Sequence, residues 1–288
     1  MSNSKSISSA AVIGAGQMGA GIAQVIASKG INVKLYDNSS EALKKGLTGI
    51  DKRLGRLVDK EKISEEQKSS ALALLGSATK LEEISDVDLV VEAIIENTEI
   101  KLELFKQLDQ ICNEKTILAT NTSSISITKI AGATNRPEKV IGQHYMNPVP
   151  IMKLVEVIRG LQTSDETYET SIGFIETLGK TAVTANHDYP GFIVNRILIP
   201  MLNEAVFVLM EGTATVEEID TAMKLGTNQP MGPLELADFV GIDTCLAIAE
   251  IFHKELGEDK YRPCPLLVKY VEAGWYGRKT GRGFYVYD

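Results

Sequence analysis

The stretch AAVIGAGQMGAGIAQVIASKGINVKLYD, residues 10–37, constrains the fold more than any other part of the chain. A short apolar run leads into the pattern Gly14-x-Gly16-x-x-Gly19, a helical pattern follows, and the run VKLY ends at Asp37. A bare glycine pattern is a weak signal. A preceding strand, a following helix and an acid at the end of a second strand make it typical of a dinucleotide-binding βαβ unit. The sequence therefore predicts an α/β fold with a Rossmann-type, doubly wound, mostly parallel sheet.

Each position of the glycine turn has a physical role in holding a dinucleotide. Gly14 permits the tight turn, Gly16 lets a pyrophosphate approach the backbone, and Gly19 lets the helix pack against the strand. The helix N-terminus offers unpaired N–H groups and a positive dipole end to the phosphates. We therefore predict that these glycines bind the cofactor together with Gln17 and Met18, which lie in the same turn.

Asp37 indicates which dinucleotide is bound. A carboxylate at the end of the second strand bonds the adenosine ribose hydroxyls and repels a 2′-phosphate. The next residues, 38–40, supply no arginine that could accommodate such a phosphate. NAD is therefore favoured over NADP, although Lys44 and Lys45 leave the question open.

Apolar runs along the chain predict how the rest of the sheet is built. The segments DVDLVVEAI, TILAT, KVIGQHYM, KLVEVIRG and TAVTANHD are typical of strands, and the pattern after YPGF is helical almost to the end. Pro190-Gly191 is the best boundary between the two patterns. We predict an NAD-binding domain over residues 1–189 and an all-helical C-terminal domain over residues 190–288.

Residues 43–60 fit an amphipathic helix. Apolar residues recur at the spacing of one helix face, at Leu43, Leu47, Ile50, Leu54 and Leu57. Basic residues fall on the opposite face, at Lys45, Lys52, Arg56 and Lys60. This basic face is either an ordinary solvated surface or a docking surface for a phosphate-bearing substrate tail.

Composition excludes several classes of function. Hydrophobic residues make up 44% and charged residues 24% of the chain, which is typical of globular proteins. A net charge of -8 argues against nucleic-acid binding. No apolar run is long enough for a membrane span, and the first residues lack a secretory signal, so we expect a cytoplasmic protein. No cluster of histidine, cysteine or acidic residues has metal-binding spacing, so no metal is expected.

His144 and Glu156 stand in surroundings that do not suit isolated polar groups. The segment GQHYMNPVPIMKLVEV, residues 142–157, places both among mostly apolar neighbours, where an unpaired carboxylate is costly to bury. If the two strands meet, a carboxylate bonded to one ring nitrogen would fix the imidazole tautomer and stabilise its charged form. Such an imidazole can take and return a proton close to neutral pH. We predict a hydrogen bond of roughly 2.6–3.2 Å between the two side chains.

The glycine turn, NTSS, QHYMNPVP, KLVEV, PGFIVNR and the C-terminal QPMGPLELADFVGID and GRKTGRGFYVYD together resemble the L-3-hydroxyacyl-CoA dehydrogenase family. The resemblance covers essentially the whole chain, and the compact bacterial 3-hydroxybutyryl-CoA dehydrogenases are the nearest members. It implies added strands that run antiparallel to the first six, a helical domain that forms a homodimer, and an acyl-CoA substrate of fatty-acid or butyrate metabolism.

The resemblance also implies the roles of individual residues. His144 would be the general acid and base, Glu156 its partner, Ser123 a donor to the 3-oxygen of the substrate, and Asn195 a donor to its carbonyl. Ser123 could instead cap a following helix, and Asn195 could cap or buttress the first helix of the second domain. Three more residues are expected on the cofactor side, namely Glu92, Lys101 and Asn121.

The acyl-CoA tail is strongly anionic, and Lys52, Arg53 and Arg56 are the predicted contacts. Two alternatives stay open at this stage. One is a dehydrogenase of the same fold that acts on a dicarboxylyl-CoA or on a hydroxy acid without CoA. The other is a non-catalytic NAD-binding protein. A 6-phosphogluconate-type dehydrogenase is disfavoured, because such enzymes use a lysine base.

Overall fold

The computed structural model describes residues 6–287 of the chain. Residues 1–5 and 288, where the two predicted domain ranges begin and end, lie outside it. The chain divides into two compact units, the first ending at Asp188 and the second beginning at Tyr189. Each unit is described by itself below.

The first unit is built on one eight-stranded sheet. Its strands are β1 (Ser9–Ile13), β2 (Asn32–Tyr36), β3 (Leu75–Ala78), β4 (Leu89–Glu92), β5 (Ile117–Thr120), β6 (Val140–Tyr145), β7 (Leu154–Ile158) and β8 (Thr181–Ala185), in the spatial order β3-β2-β1-β4-β5-β6-β7-β8. Strands β1 to β6 are parallel, β7 pairs antiparallel with β6, and β8 pairs parallel with β7. The predicted Rossmann-type sheet with added antiparallel strands is confirmed.

Six helices accompany these strands: α1 (Gln17–Ala27), α2 (Ser40–Asp59), α3 (Glu65–Ala73), α4 (Thr98–Ile111), α5 (Ile127–Ala131) and α6 (Asp165–Thr177). The helix predicted over residues 43–60 is α2, which begins after Ser39, whose side chain accepts the N–H of Ala42 at 3.2 Å. Its predicted apolar face is buried at Leu43, Ile50 and Leu54. That face packs in the core that also holds strand residues of β1 and β2 and the buried side of α1.

Two elements of this unit were not predicted from the sequence. Strand β3 is the short segment LGSA at the edge of the sheet, and two of its four residues are exposed. Helix α3 begins at a capping box in which Ser64 and Gln67 bond each other's backbone N–H groups. Neither carries a strong periodic apolar pattern, since short edge strands and polar helices bury few side chains.

The second unit is helical, as predicted. Its helices are α7 (Val194–Met210), α8 (Val216–Gly226), α9 (Pro233–Val240), α10 (Ile242–Leu256) and α11 (Pro265–Glu272). Buried Asp238 accepts the backbone N–H groups of Phe284 and Tyr285, both at 2.9 Å, and thereby holds the C-terminal segment on α9. Within residues 6–287, no helix has the length and apolar character that crossing a membrane requires.

Candidate active site

The glycine turn between β1 and α1 has the geometry that a bound pyrophosphate needs. Gly14 has φ +101°, and its N–H donates to the carbonyl of Tyr36 at 2.8 Å. A Cβ at Gly19 would collide with the carbonyl oxygen of Gly14, so only glycine allows this close packing of helix on turn. A Cβ at Gly16 would meet nothing within 4 Å, so the backbone faces open space there. The turn therefore fits a dinucleotide phosphate at the start of α1.

A cleft of about 970 Å³ adjoins this turn. Its lining includes Gly14, Gly16, Gln17, Met18 and Asp37. The Asp37 carboxylate accepts the N–H of Ala15 at 2.8 Å through Oδ2 and the N–H of Ser39 at 2.9 Å through Oδ1. Because a carboxylate has about four acceptor positions, Asp37 can hold the turn and still accept ribose hydroxyls.

His144 and Glu156 meet as the sequence predicted. They are directly paired in the antiparallel ladder of β6 and β7. His144 Nδ1 and Glu156 Oε2 are 2.7 Å apart. Glu156 is fully buried, whereas His144 keeps 8% of its surface exposed. Each group therefore supplies the hydrogen-bond partner that the other needs when buried. The acid orients the imidazole from the protein interior.

Ser123 lies in a turn that is organised by Glu96, which sequence reasoning missed. Glu96 Oε1 accepts the Thr122 hydroxyl at 2.5 Å, the Ser123 N–H at 3.0 Å and the Ser124 N–H at 3.2 Å. Burial would raise the pKa of Glu96, but the nearby Lys101 ammonium and these hydrogen bonds outweigh it and lower that pKa. Glu96 is thus a charged anchor for the serine turn. The one sequence signal for it was its position just before α4.

The predicted cofactor-side residues Glu92 and Lys101 form an internal ion pair. Lys101 Nζ lies 2.5 Å from Glu92 Oε1 and 3.3 Å from Glu96 Oε2, and Lys101 and Glu92 are almost completely buried. Glu92 also accepts the hydroxyl of Thr120 and the N–H of Ile94, both at 2.7 Å. Lys101 therefore links the end of β4 to Glu96, and Glu92 links the end of β4 to the end of β5.

Asn121 ties two strand ends together close to the histidine. Its Oδ1 accepts the N–H of Tyr145 at 2.9 Å, and its own N–H donates to the carbonyl of Glu92 at 2.7 Å. Asn121, which follows β5, is thereby held against Tyr145, which follows His144. This contact positions His144 from the β5 side.

Two family models match nearly all of the chain. Residues 9–189 match the NAD binding domain of 3-hydroxyacyl-CoA dehydrogenase, and residues 191–287 match the C-terminal domain of the same enzymes.

The chain belongs to the 3-hydroxyacyl-CoA dehydrogenase family.

Individual members of this family and its structural neighbours are similar over nearly the full chain. A probable 3-hydroxybutyryl-CoA dehydrogenase of Bacillus subtilis is 56% identical over 277 residues, which is 96% of each chain. The crystal structure of (S)-3-hydroxybutyryl-CoA dehydrogenase from Ralstonia eutropha has a TM-score of 0.95 at 50% identity and covers 98% of this chain and 100% of that one. A diketoreductase described as acting on dicarbonyl compounds has a TM-score of 0.86 at 29% identity, with 98% and 100% coverage. The protein is an oxidoreductase with an NAD-binding domain.

The helix ends show whether Ser123 and Asn195 act as helix caps in this dehydrogenase. Ser126, rather than Ser123, caps α5, because its hydroxyl accepts the N–H of Lys129 at 3.1 Å. Asn195 is the second residue of α7, whose N-terminal cap position is Ile193, with no side-chain cap. Neither Ser123 nor Asn195 is therefore a helix cap, and the role of Asn195 as a buttress of α7 stays a prediction.

The three basic residues predicted to bind substrate differ in their surroundings. Lys52 and Arg56 are exposed on the outer face of α2, whereas Arg53 is partly buried. Arg53 Nε donates to Gln24 Oε1 at 2.7 Å, and its Nη2 is buried without a hydrogen-bond partner among residues 6–287. Burial lowers the pKa of Arg53. Within the same residues, no group of three or more histidine, cysteine and acidic side chains could hold a metal ion.

Proposed function

We propose that the protein is an NAD-dependent 3-hydroxybutyryl-CoA dehydrogenase that interconverts (S)-3-hydroxyacyl-CoA and 3-ketoacyl-CoA. The observation that carries this proposal is the 2.7 Å contact between His144 and Glu156 in an NAD-binding unit. The names of the relatives from Bacillus subtilis and Ralstonia eutropha support a four-carbon acyl group.

The chemistry requires a base that can also act as an acid. Oxidation of a secondary alcohol removes a hydride from carbon and a proton from oxygen, and bound NAD⁺ supplies the hydride acceptor. His144 takes the proton during oxidation and returns it during reduction. Because Nδ1 faces Glu156, we assign this exchange to Nε2. Glu156 fixes the tautomer and stabilises the imidazolium.

Other residues bind and orient the reacting groups. Ser123 donates a hydrogen bond to the 3-oxygen and stabilises charge that develops there, while Glu96 holds the turn that carries it. Asn195 binds the substrate carbonyl. Gly14, Gly16, Gln17, Met18 and Asp37 hold the cofactor, in preference NAD over NADP, and Glu92, Lys101 and Asn121 support its nicotinamide side.

A groove in the first unit supports the proposal that the substrate carries an anionic tail. It has a volume of about 620 Å³ and is lined by apolar side chains of α2 and α3 together with Lys29, Lys153 and Glu66. Lys180 also lines it, but its ammonium is bonded to two backbone carbonyls. Gln24 also lines it, and Gln24 bonds Arg53, so that guanidinium lies beside the groove. An apolar floor with surplus positive charge suits the pantetheine and phosphates of CoA. Lys52 and Arg56 would contact the tail where it leaves the groove.

The direct test is NADH oxidation followed by absorbance with acetoacetyl-CoA as substrate. Free acetoacetate tests whether CoA is recognised, and NADPH tests cofactor preference. We expect turnover with NADH and acetoacetyl-CoA that exceeds turnover in both controls by at least about ten-fold, which corresponds to roughly 1.4 kcal/mol of differential binding. Equal rates with free acetoacetate would contradict the CoA assignment. Absent turnover together with NAD binding would favour a non-catalytic protein.

A second candidate function is reduction of dicarbonyl compounds without CoA. The structural similarity to a diketoreductase favours it. A small diketone in the same NADH assay separates the candidates, because only this second function predicts a diketone rate above that with acetoacetyl-CoA. Homodimerisation through the second unit, a cytoplasmic location and the absence of a metal stay predictions from the sequence.

A further inference from the structure

The connection between β6 and β7, residues 146–153, follows His144 and precedes Glu156. Its position therefore sets how the two strands of the pair approach each other. The N–H groups of Ile151 and Met152 both donate to the carbonyl of Pro148 at 3.0 Å and close a tight turn. Two other parts of the first unit contact this connection.

Lys180, immediately before β8, makes the first contact. Its Nζ donates to the carbonyl oxygen of Val149 at 2.7 Å and to that of Met152 at 2.6 Å. The N–H of Thr181 donates to the carbonyl of Lys153 at 2.8 Å. Lys180 is partly buried, and burial lowers its pKa. An ammonium withdrawn from water needs acceptors, and two carbonyls of one turn supply them.

Helix α1 makes the second contact. Gln17 Nε2, at the first position of α1 in the glycine turn, donates to Asn147 Oδ1 at 2.9 Å. One helical turn later, Gly21 lies under the buried side chain of Val149, and a Cβ at Gly21 would be 3.0 Å from the Val149 Cβ. The connection is therefore held against the helix that begins at the cofactor turn.

We propose that Lys180 is a positioning residue for the dehydrogenase reaction. Its ammonium joins the carbonyls of Val149 and Met152, keeps the β6–β7 connection against α1, and so holds His144 and Glu156 in register with the cofactor turn. The effect on turnover rests on the function proposed above. The effect of Lys180 on the geometry of His144 does not depend on that function.

The test replaces Lys180 by methionine, which keeps an unbranched chain and removes the ammonium. We expect Lys180→Met to lower kcat by roughly ten- to a hundred-fold, because small displacements of reacting groups have effects of this size. The KM for NADH should change less than kcat. The matched control is Lys106→Met, since Lys106 is an exposed lysine on α4 and should keep wild-type kcat.

Nuclear magnetic resonance supplies a readout that does not require turnover. The chain has three histidines, His144, His187 and His253, and the imidazole ¹⁵N signals of His144 can be assigned by their loss in His144→Gln. In Lys180→Met the signals of His144 should shift, while those of His187 and His253 stay in place. A general loss of folding would instead broaden or move all three.

Chemical rescue separates the ammonium from other effects of the substitution. Lys180→Cys treated with 2-bromoethylamine gains a lysine-like side chain and should recover most of the lost kcat. The native cysteines are buried, and burial raises the pKa of the Cys112 thiol to about 11 and that of Cys245 to about 12, so they react slowly. Wild-type protein treated in parallel is the control.

Unchanged His144 signals in Lys180→Met would overturn the proposal, as would a fall in kcat that only follows a smaller folded fraction. A rise confined to the KM for acetoacetyl-CoA would also overturn it and place Lys180 in substrate binding. Absent turnover by the wild type would refute the proposed function alone, because the His144 signals still decide the role of Lys180.

Discussion

Glu156 lies directly opposite His144 in the β6–β7 ladder and contacts its Nδ1 at 2.7 Å from a position without solvent exposure. The acid thus acts on the ring from the protein interior. In the proposed reaction, charge that forms on the imidazole would meet a carboxylate already in place, so little reorganisation would be needed. This relationship makes the pair the first target for mutation.

His144→Gln should remove the proton-transfer group and keep the fold. We expect kcat to fall roughly 10²- to 10⁴-fold, the usual contribution of general acid–base catalysis. NAD affinity should stay within about two-fold, because the glycine turn and Asp37 are untouched. Steady-state kinetics and cofactor titration measure the two quantities. Near-normal turnover would mean that another group is the base.

Glu156→Gln should keep the shape of the side chain and remove its charge. The imidazolium then loses its stabilising partner, so we expect kcat to fall by roughly 10²-fold or more. The dependence of kcat on pH should also change. Thermal unfolding is needed alongside, since a buried group that loses its partner also destabilises the fold. An unchanged pH profile would show that the carboxylate has a structural role only.

Gly16→Ala and Gly19→Ala form a matched pair at the cofactor turn. The added methyl at position 16 meets nothing within 4 Å, so folding should be unaffected while NAD affinity falls. The methyl at position 19 collides with the Gly14 carbonyl, so the free energy of unfolding should fall by about 1–3 kcal/mol. Denaturant unfolding and NAD titration separate the two effects. Equal loss of stability in both variants would contradict this assignment.

Glu96→Gln tests the charged anchor of the serine turn. The folded-state pKa of Glu96 is lowered, so its stabilising contribution is present above the ordinary carboxyl range and is lost as the pH falls through that lowered pKa. Because its side chain is 35% exposed, we expect a loss of only about 1 kcal/mol near neutral pH. The difference from wild type should shrink on acidification.

The matched control for this substitution is Glu114→Gln, an exposed glutamate between α4 and β5, which should leave stability unchanged at both pH values. Denaturant unfolding of the three proteins at neutral and acid pH gives the comparison. A constant difference between wild type and Glu96→Gln across pH would mean that the charge of Glu96 does not stabilise the turn.

Asp37→Ala should shift the balance between the two cofactors. The substitution removes the repulsion of a 2′-phosphate and the acceptor for the ribose hydroxyls, so NAD affinity should fall more than NADP affinity. It also removes two bonds to the N–H groups of Ala15 and Ser39, which loosens the turn for both cofactors. Asp37→Asn removes the charge and keeps one acceptor oxygen, so it retains only one of these two bonds. Equal loss for NAD and NADP in both variants would exclude Asp37 as the selector.

The sequence predicted the features that depend on strong local patterns or on two adjacent strands. The glycine turn follows from backbone sterics, and the face of α2 from its period. The contact between His144 and Glu156 followed because two polar groups in apolar strands have few ways to be satisfied other than by each other. These constraints are visible without coordinates.

The features that the sequence did not predict depend on contacts between distant segments. Glu96 bonds residues 26 to 28 positions away, and a glutamate before a helix gives no sign of such partners. Lys180 bonds backbone carbonyls, which are present at every residue and carry no sequence signal. Strand β3 has two small, exposed residues, so pairing with β2 rather than side-chain burial defines it.

The reversed direction of β7 also limits which length changes the enzyme can tolerate. Side chains alternate between the two faces of a strand, so a slip of one residue would bring Val155 or Val157 opposite His144 and turn the carboxylate to the far side of the sheet. A slip of two residues would return the side chains to their original face but would no longer place Glu156 opposite His144. Insertions and deletions must therefore be absorbed outside Leu154–Ile158.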